Sequence, residues 1–157
     1  MQVENVFFYP VCSNDYLCVV VKQSLGHRCG YVGVPEDHPL YKHSYLQELE
    51  LLDNEAPETY FKVHGGITYS DFFGERLHDS GLVDIEPKKY WFFGYDCNHA
   101  CDIGVERSLE YCIGECKKLA NQLKEVEFKD SWENPDKIPM WPNKPYLVDY
   151  FQKEDDD

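Results

Sequence analysis

The run from Tyr90 through Trp91, Phe92, Phe93 and Tyr95 is aromatic, and titratable groups replace the aromatics from Asp96 onward. Asp96, His99 and Asp102 follow one another at i, i+3 and i+6. A strand that ends in carboxylates and an imidazole sets polar groups at the rim of an apolar layer, where binding loops commonly sit. A second imidazole, His64, stands beside Gly65 and Gly66 in the stretch Val63-His64-Gly65-Gly66-Ile67-Thr68.

Three chemistries fit these residues. His64, Asp96, His99 and Asp102 are a donor set that suits Zn, Mn or Fe, and such a metal could supply a hydroxide for hydrolysis. Without a metal, Asp96 could orient His99 as a general base. In the third, Asp96 and Asp102 cap turns or a helix while His99 bonds a backbone carbonyl. The spacing matches no established metal signature, so no cofactor is expected, although a divalent metal is compatible with the set.

Gly65 and Gly66 remove side-chain bulk and would let a ligand approach the backbone, with His64 as donor and Thr68 adding a hydroxyl. The plainer account is a β-bulge with a buried, hydrogen-bonded His64. Tyr31, Tyr69, Trp91, Phe93 and Tyr95 are core candidates, of which some could stack on a heterocycle; stacking contributes about 1–3 kcal/mol per base. Arg28, Arg76 and Arg107 are the only arginines. Arg28, ahead of Gly30 and Tyr31, is the first choice for an anionic ligand. The expected ligand-binding set is thus Arg28, Gly30, Tyr31, His64, Gly65, Gly66, Thr68, Trp91, Tyr95, Asp96 and His99. If the protein is an enzyme, His64, Asp96, His99 and Asp102 are the catalytic set.

The elements that must position these groups follow from patterning. Val3 to Tyr9, Tyr16 to Lys22 and Cys29 to Pro35 are rich in β-branched and aromatic residues and predict strands. Thr59 to Thr68 predicts another, with His64 inside it, and Lys89 to Tyr95 the aromatic one. Tyr45 to Leu52 fits a short helix or an irregular loop. From Val105 to about Glu125, apolar residues recur at Leu109, Cys112, Ile113, Cys116, Leu119, Ala120 and Leu123, the stripe of an amphipathic helix. Asp102 or Gly104 would lead into it, where a carboxylate is favoured by the helix dipole. Pro135, Pro139, Pro142 and Pro145 forbid a regular helix there, so an extended segment bearing Trp132, Trp141 and Tyr146 is expected. The expectation is one α+β domain over residues 1–150, a mainly antiparallel sheet covered by the long helix, followed by an acidic tail at 151–157.

Composition narrows the classes. The 157 residues are 43% hydrophobic and 15% aromatic, enough for a real core. A formal charge of −14, from 29 acidic against 15 basic residues, argues against sequence-independent nucleic-acid binding. Apolar runs are too short to span a bilayer and no leader pattern opens the chain, so a soluble, non-secreted protein without a membrane partner is expected. Seven Cys fit reduced thiols. The pairs Cys97/Cys101 and Cys112/Cys116 raise structural zinc, but the helical spacing of the second favours buried packing. P-loop, Rossmann, nucleophile-elbow and Cys-His protease signatures are missing from the sequence.

Four segments carry a resemblance: Gly26 to Pro35, Val63 to Ser70, Phe93 to His99, and Leu109 to Ala120. Together they resemble a family of small bacteriophage proteins, across most of residues 26–123. The family has Phe where Tyr95 stands, Ala where Asn98 stands and Gly where Cys101 stands; His99 and both Asp are retained. The resemblance implies a phage protein acting in the cytoplasm of its bacterial host, but carries no activity of its own. By analogy of size and setting with counter-defence proteins, the expected role is capture of a nucleotide-derived immune messenger, as made by Thoeris or CBASS systems. The alternatives are a phosphodiesterase that cleaves such a nucleotide, and a protein-binding inhibitor of a host factor. A homo-oligomer is compatible with each.

Overall fold

The computed structural model describes residues 2–11, 14–73, 89–99 and 102–133. Its strands are β1 (Gln2–Tyr9), β2 (Tyr16–Lys22), β3 (Arg28–Pro35), β4 (Tyr69–Phe72) and β5 (Tyr90–Asp96). They form one five-stranded sheet in the order β1-β2-β3-β5-β4. Every neighbouring pair is antiparallel. A short helix α1 (Pro57–Tyr60) precedes β4, and the long helix α2 (Leu109–Glu133) lies across β2 and β3. The architecture is therefore α+β, an antiparallel sheet covered by one long helix.

Each face of the sheet has its own apolar cluster. On the helix side, Tyr16, Cys18, Val20, Val32, Val34, Phe93 and Tyr95 meet Cys112, Cys116, Leu119, Ala120 and Leu123. On the other side lie Leu17, Val19, Val21, Tyr31 and Phe92. This explains why β2 reads as an unbroken apolar run rather than an alternating one, since both its faces are buried. Burying each such aliphatic or aromatic side chain contributes roughly 1.5–3 kcal/mol.

Glycines in β3 and β5 sit opposite aromatic residues. Gly30 pairs with Tyr95, and Gly94 with Tyr31. A Cβ on Gly30 would lie 2.4 Å from the Tyr95 ring, and one on Gly94 would lie 2.4 Å from the Tyr31 ring. Each ring thus lies flat across the neighbouring strand, on opposite faces of the sheet.

Three expectations are corrected. Residues 59–68 do not form a strand: α1 ends at Tyr60, and a turn closes with the Gly66 amide donating to the Val63 carbonyl at 2.8 Å. Gly65 and Gly66 have φ of +68° and +82°, which breaks an extended strand. No described strand pairs with residues 63–66, so there is no ladder to carry a bulge. The long helix starts at Leu109 rather than Val105 and runs past Glu125 to Glu133. Trp132, expected in the extended segment, therefore belongs to the helix, whose last residues precede Pro135. Its first turn is capped by Ser108, whose Oγ accepts the Tyr111 amide at 3.0 Å, so neither Asp102 nor Gly104 caps it. The 45–52 stretch resolves into turns and one 3-10 turn at Glu50–Leu52. The Pro-rich segment beyond Glu133, the acidic tail, Arg76 and Cys101 lie outside the described residues. No helix among the described residues is long and apolar enough to cross a membrane.

Candidate functional site

Antiparallel pairing brings several strand ends to one end of the sheet. Lys22 pairs with Arg28, Cys29 with Asp96, and Tyr69 with Gly94. The turn at 63–68, the segment after Asp96 and the residues leading to α2 therefore converge there. His64, Asp96, His99 and Asp102 come together at this end, but as two pairs with different surroundings.

The first pair is closed. His64 Nε2 lies 2.9 and 3.0 Å from the two Asp102 carboxylate oxygens, and Nδ1 lies 2.8 Å from the Tyr111 hydroxyl. In the neutral ring these partners place the proton on Nε2, donated to Asp102, with Nδ1 accepting from Tyr111. The His64 amide donates to Glu115 at 2.9 Å, which ties the 63–66 turn to α2. Asp102 also accepts from Arg107 Nε at 2.8 Å and from the His99 amide at 3.1 Å. Burial works against its charge, but these donors outweigh burial and hold the carboxyl well below the usual carboxylate range. The side chains of His64 and Asp102 are only 8% and 3% exposed, so this pair acts as a structural clasp.

The second pair is open. Asp96 and His99 have side chains 29% and 28% exposed and approach to 3.4 Å. Thr68 Oγ1 donates to one Asp96 oxygen at 2.9 Å, and the Asn98 amide donates to the other at 3.0 Å. The atom that approaches Asp96 is His99 Nε2, which lies buried against Gly65 and makes no hydrogen bond at that 3.4 Å separation.

Asp96 and His99 border a hollow of about 430 Å³, together with His27, Thr68, Tyr69 and Asn98. Tyr31 and Tyr95 also edge it. A second hollow of about 510 Å³ adjoins it and contains Arg28, Asp102 and Arg107 in its wall. His27 and Asn98 border both. His64 borders neither.

The remaining expected site residues serve packing or pairing. Tyr95 is 1% exposed, and its hydroxyl donates to the Cys112 carbonyl at 2.7 Å. Burial pushes its phenol far up, so it stays neutral. Gly30 makes room for that ring. Tyr31 stacks on Phe73 at 4.7 Å. Trp91 lies toward the opposite end of β5, donating to the His43 carbonyl at 2.9 Å, and is not brought to the site. Arg28 is gripped by Glu4, with Nε 2.7 Å from Oε1, and donates to the Arg107 carbonyl at 2.8 Å.

Among the described residues, no group of three or more His, Cys, Asp or Glu side chains is arranged to hold a metal ion. Cys97 and Cys112 are buried with sulfurs 3.8 Å apart, and Cys116 is fully buried in the core. Sequence reasoning missed His27, Asn98 and Lys22 as lining residues, and Tyr111 and Glu115 as holders of His64. Only the last two had a signal: they stand at i, i+4, on one side of a helix.

Fold and site together define a small α+β protein with an open, polar and aromatic cleft at one end of its sheet. No known family model matches the chain, and no curated protein or solved structure matches it either.

Proposed function

We propose that this protein captures a nucleoside-containing small molecule in the 430 Å³ hollow, the class intended being the nucleotide messengers of bacterial anti-phage defence. The observation that carries the reading is Asp96. Its carboxylate is oriented by Thr68 and the Asn98 amide yet stays part-exposed at the hollow. An oriented carboxylate at a cleft wall suits a sugar diol, as in dinucleotide sites where an acidic residue takes ribose hydroxyls. Tyr69 lines the same hollow, and the volume falls within the roughly 300–1,000 Å³ of small-molecule sites. The phage setting comes from the sequence resemblance alone.

A hydrolytic reading has one observation in its favour: His99 lies beside Asp96, and its buried Nε2 makes no hydrogen bond. Against it, that nitrogen faces Gly65, and both nitrogens of His64 are already engaged.

Calorimetry with adenosine, ADP-ribose and cyclic dinucleotides tests the reading. Binding that weakens about tenfold or more in Asp96→Asn is expected, since losing a charged hydrogen-bond acceptor costs roughly 1.5–3 kcal/mol. Ligand recovered intact after denaturing the complex marks capture, and a cleaved product marks the hydrolase. Folded protein that binds none of these probes overturns the proposal.

A further inference from the structure

The second hollow gathers three cations in a chain whose net charge is −14, set against two carboxylates in the same wall, Asp102 and Glu106. Lys22, Arg28 and Arg107 border it. The Arg28 side chain is only 12% exposed and is held by Glu4 and the Arg107 carbonyl, so its guanidinium is fixed in place. Lys22 Nζ and Arg28 Nη1 converge on the same atom, Glu106 Oε1, each at 3.4 Å. Charge-assisted bonds of this type ordinarily close to about 2.7–2.9 Å. Glu106 is 65% exposed. An exposed carboxylate held by two long contacts is weakly bound and readily exchanged. Gly26 and Gly104 also border the hollow, and a Cβ on either would meet nothing within 4 Å, so its wall is open at these two positions.

We propose that Lys22 and Arg28 form an oxyanion subsite for a phosphoryl group, and that Glu106 occupies it as an intramolecular stand-in which the ligand displaces. A phosphoryl group presents several oxygens to the same two donors, with a pre-oriented guanidinium as the stronger partner. Arg107, already bound to Asp102, borders the same space and adds positive potential. Because His27 and Asn98 border both hollows, a single ligand could place its sugar against Asp96 and its phosphate against Lys22 and Arg28. That last point rests on the nucleoside reading of the first hollow; the oxyanion subsite itself does not.

The test is binding of inorganic pyrophosphate, adenosine and ADP-ribose to the full chain and to two exposed-residue variants, Glu106→Gln and Lys22→Met. Removing the competing carboxylate in Glu106→Gln is expected to tighten pyrophosphate and ADP-ribose severalfold. Lys22→Met is expected to weaken both about tenfold, an effect that shrinks as salt rises and screens the charges. Adenosine affinity should not change in either variant. Pyrophosphate affinity unmoved or weakened in Glu106→Gln overturns the proposal, as does pyrophosphate failing to bind any form. If pyrophosphate behaves as expected but adenosine does not bind, the subsite stands and the nucleoside reading of the first hollow fails.

Discussion

The imidazole of His99 lies directly over Gly65, so close that a Cβ on Gly65 would fall 2.1 Å from its Nε2. Gly65 also has φ of +68°, so two separate constraints ask for glycine there. Gly65→Ala should therefore cost about 2–4 kcal/mol, the left-handed backbone strain plus displacement of the ring. Gly104→Ala supplies the comparison, since its φ is +76° but a Cβ there meets nothing. It should cost only about 1–2 kcal/mol, the strain alone. Urea unfolding of both variants checks this, and equal losses would mean that the His99 ring yields freely.

Asp102 gathers His64, Arg107 and the His99 amide, so its charge is matched by donors on three sides. Asp102→Asn keeps the shape and removes the charge. At neutral pH it should lose roughly 2–4 kcal/mol, in line with breaking a buried pair from one side. The sign of the pH dependence follows from the depressed carboxyl. Its stabilisation is fully present above the unfolded value of about 3.9 and fades as pH falls toward the folded value. The stability gap between wild type and Asp102→Asn should thus narrow as pH falls below about 4. A gap that does not narrow in acid would show that charge is not what Asp102 contributes.

Much of the fold was legible because the strands carry their own period and composition. Tyr16 to Lys22 coincides with β2, and the Cys112, Cys116, Leu119, Leu123 stripe lies on α2 against the sheet. The stretch around His64 was misread because Val63, Ile67 and Thr68 have strand propensity, while the backbone is decided by two positive-φ glycines. At the site, the sequence brought out Asp96, His99 and Thr68 but not their division from His64 and Asp102. Which imidazole is clasped and which faces a hollow depends on Tyr111, Glu115 and Arg107, which are remote in sequence from His64 and meet it only through packing. Likewise, Tyr95 and Trp91 look alike as stacking residues, yet one is sealed under α2 and the other points to the far end of the sheet.

Gly30 and Tyr95 should behave as a coupled pair. A Cβ on Gly30 would meet Tyr95 Cε1 at 2.4 Å and its hydroxyl oxygen at 2.5 Å. The ring cannot swing aside, because it is 1% exposed and bonded to the Cys112 carbonyl. Gly30→Ala is expected to destabilise by about 1–3 kcal/mol through overpacking. In the background of Tyr95→Leu, where the ring is absent, the same change should cost far less. Thermal or urea unfolding of the four-member cycle reads the coupling, and simple additivity would refute the packing account.

His38 supplies an acid-sensitive contact outside the site. The Leu40 amide donates to Nδ1 at 3.0 Å, so Nε2 carries the proton and donates to the Leu123 carbonyl at 2.9 Å. The ring is 3% exposed and meets the Tyr16 ring edge-on, and Tyr16 in turn donates to Glu127. Burial lowers its pKa to about 4; the Leu123 carbonyl and the Asp130 charge pull the other way without overcoming it. Protonation would also abolish the acceptor that Leu40 uses. The unfolded chain takes up this proton near pH 6.5 and the folded one near pH 4, so acid favours unfolding between those values. Wild type should lose on the order of 3 kcal/mol from this group as pH falls from about 7 to about 4. His38→Gln should start less stable at neutral pH and lack that component of the slope. Urea midpoints taken across the range decide the matter: parallel curves for the two proteins would show that His38 does not carry the acid sensitivity.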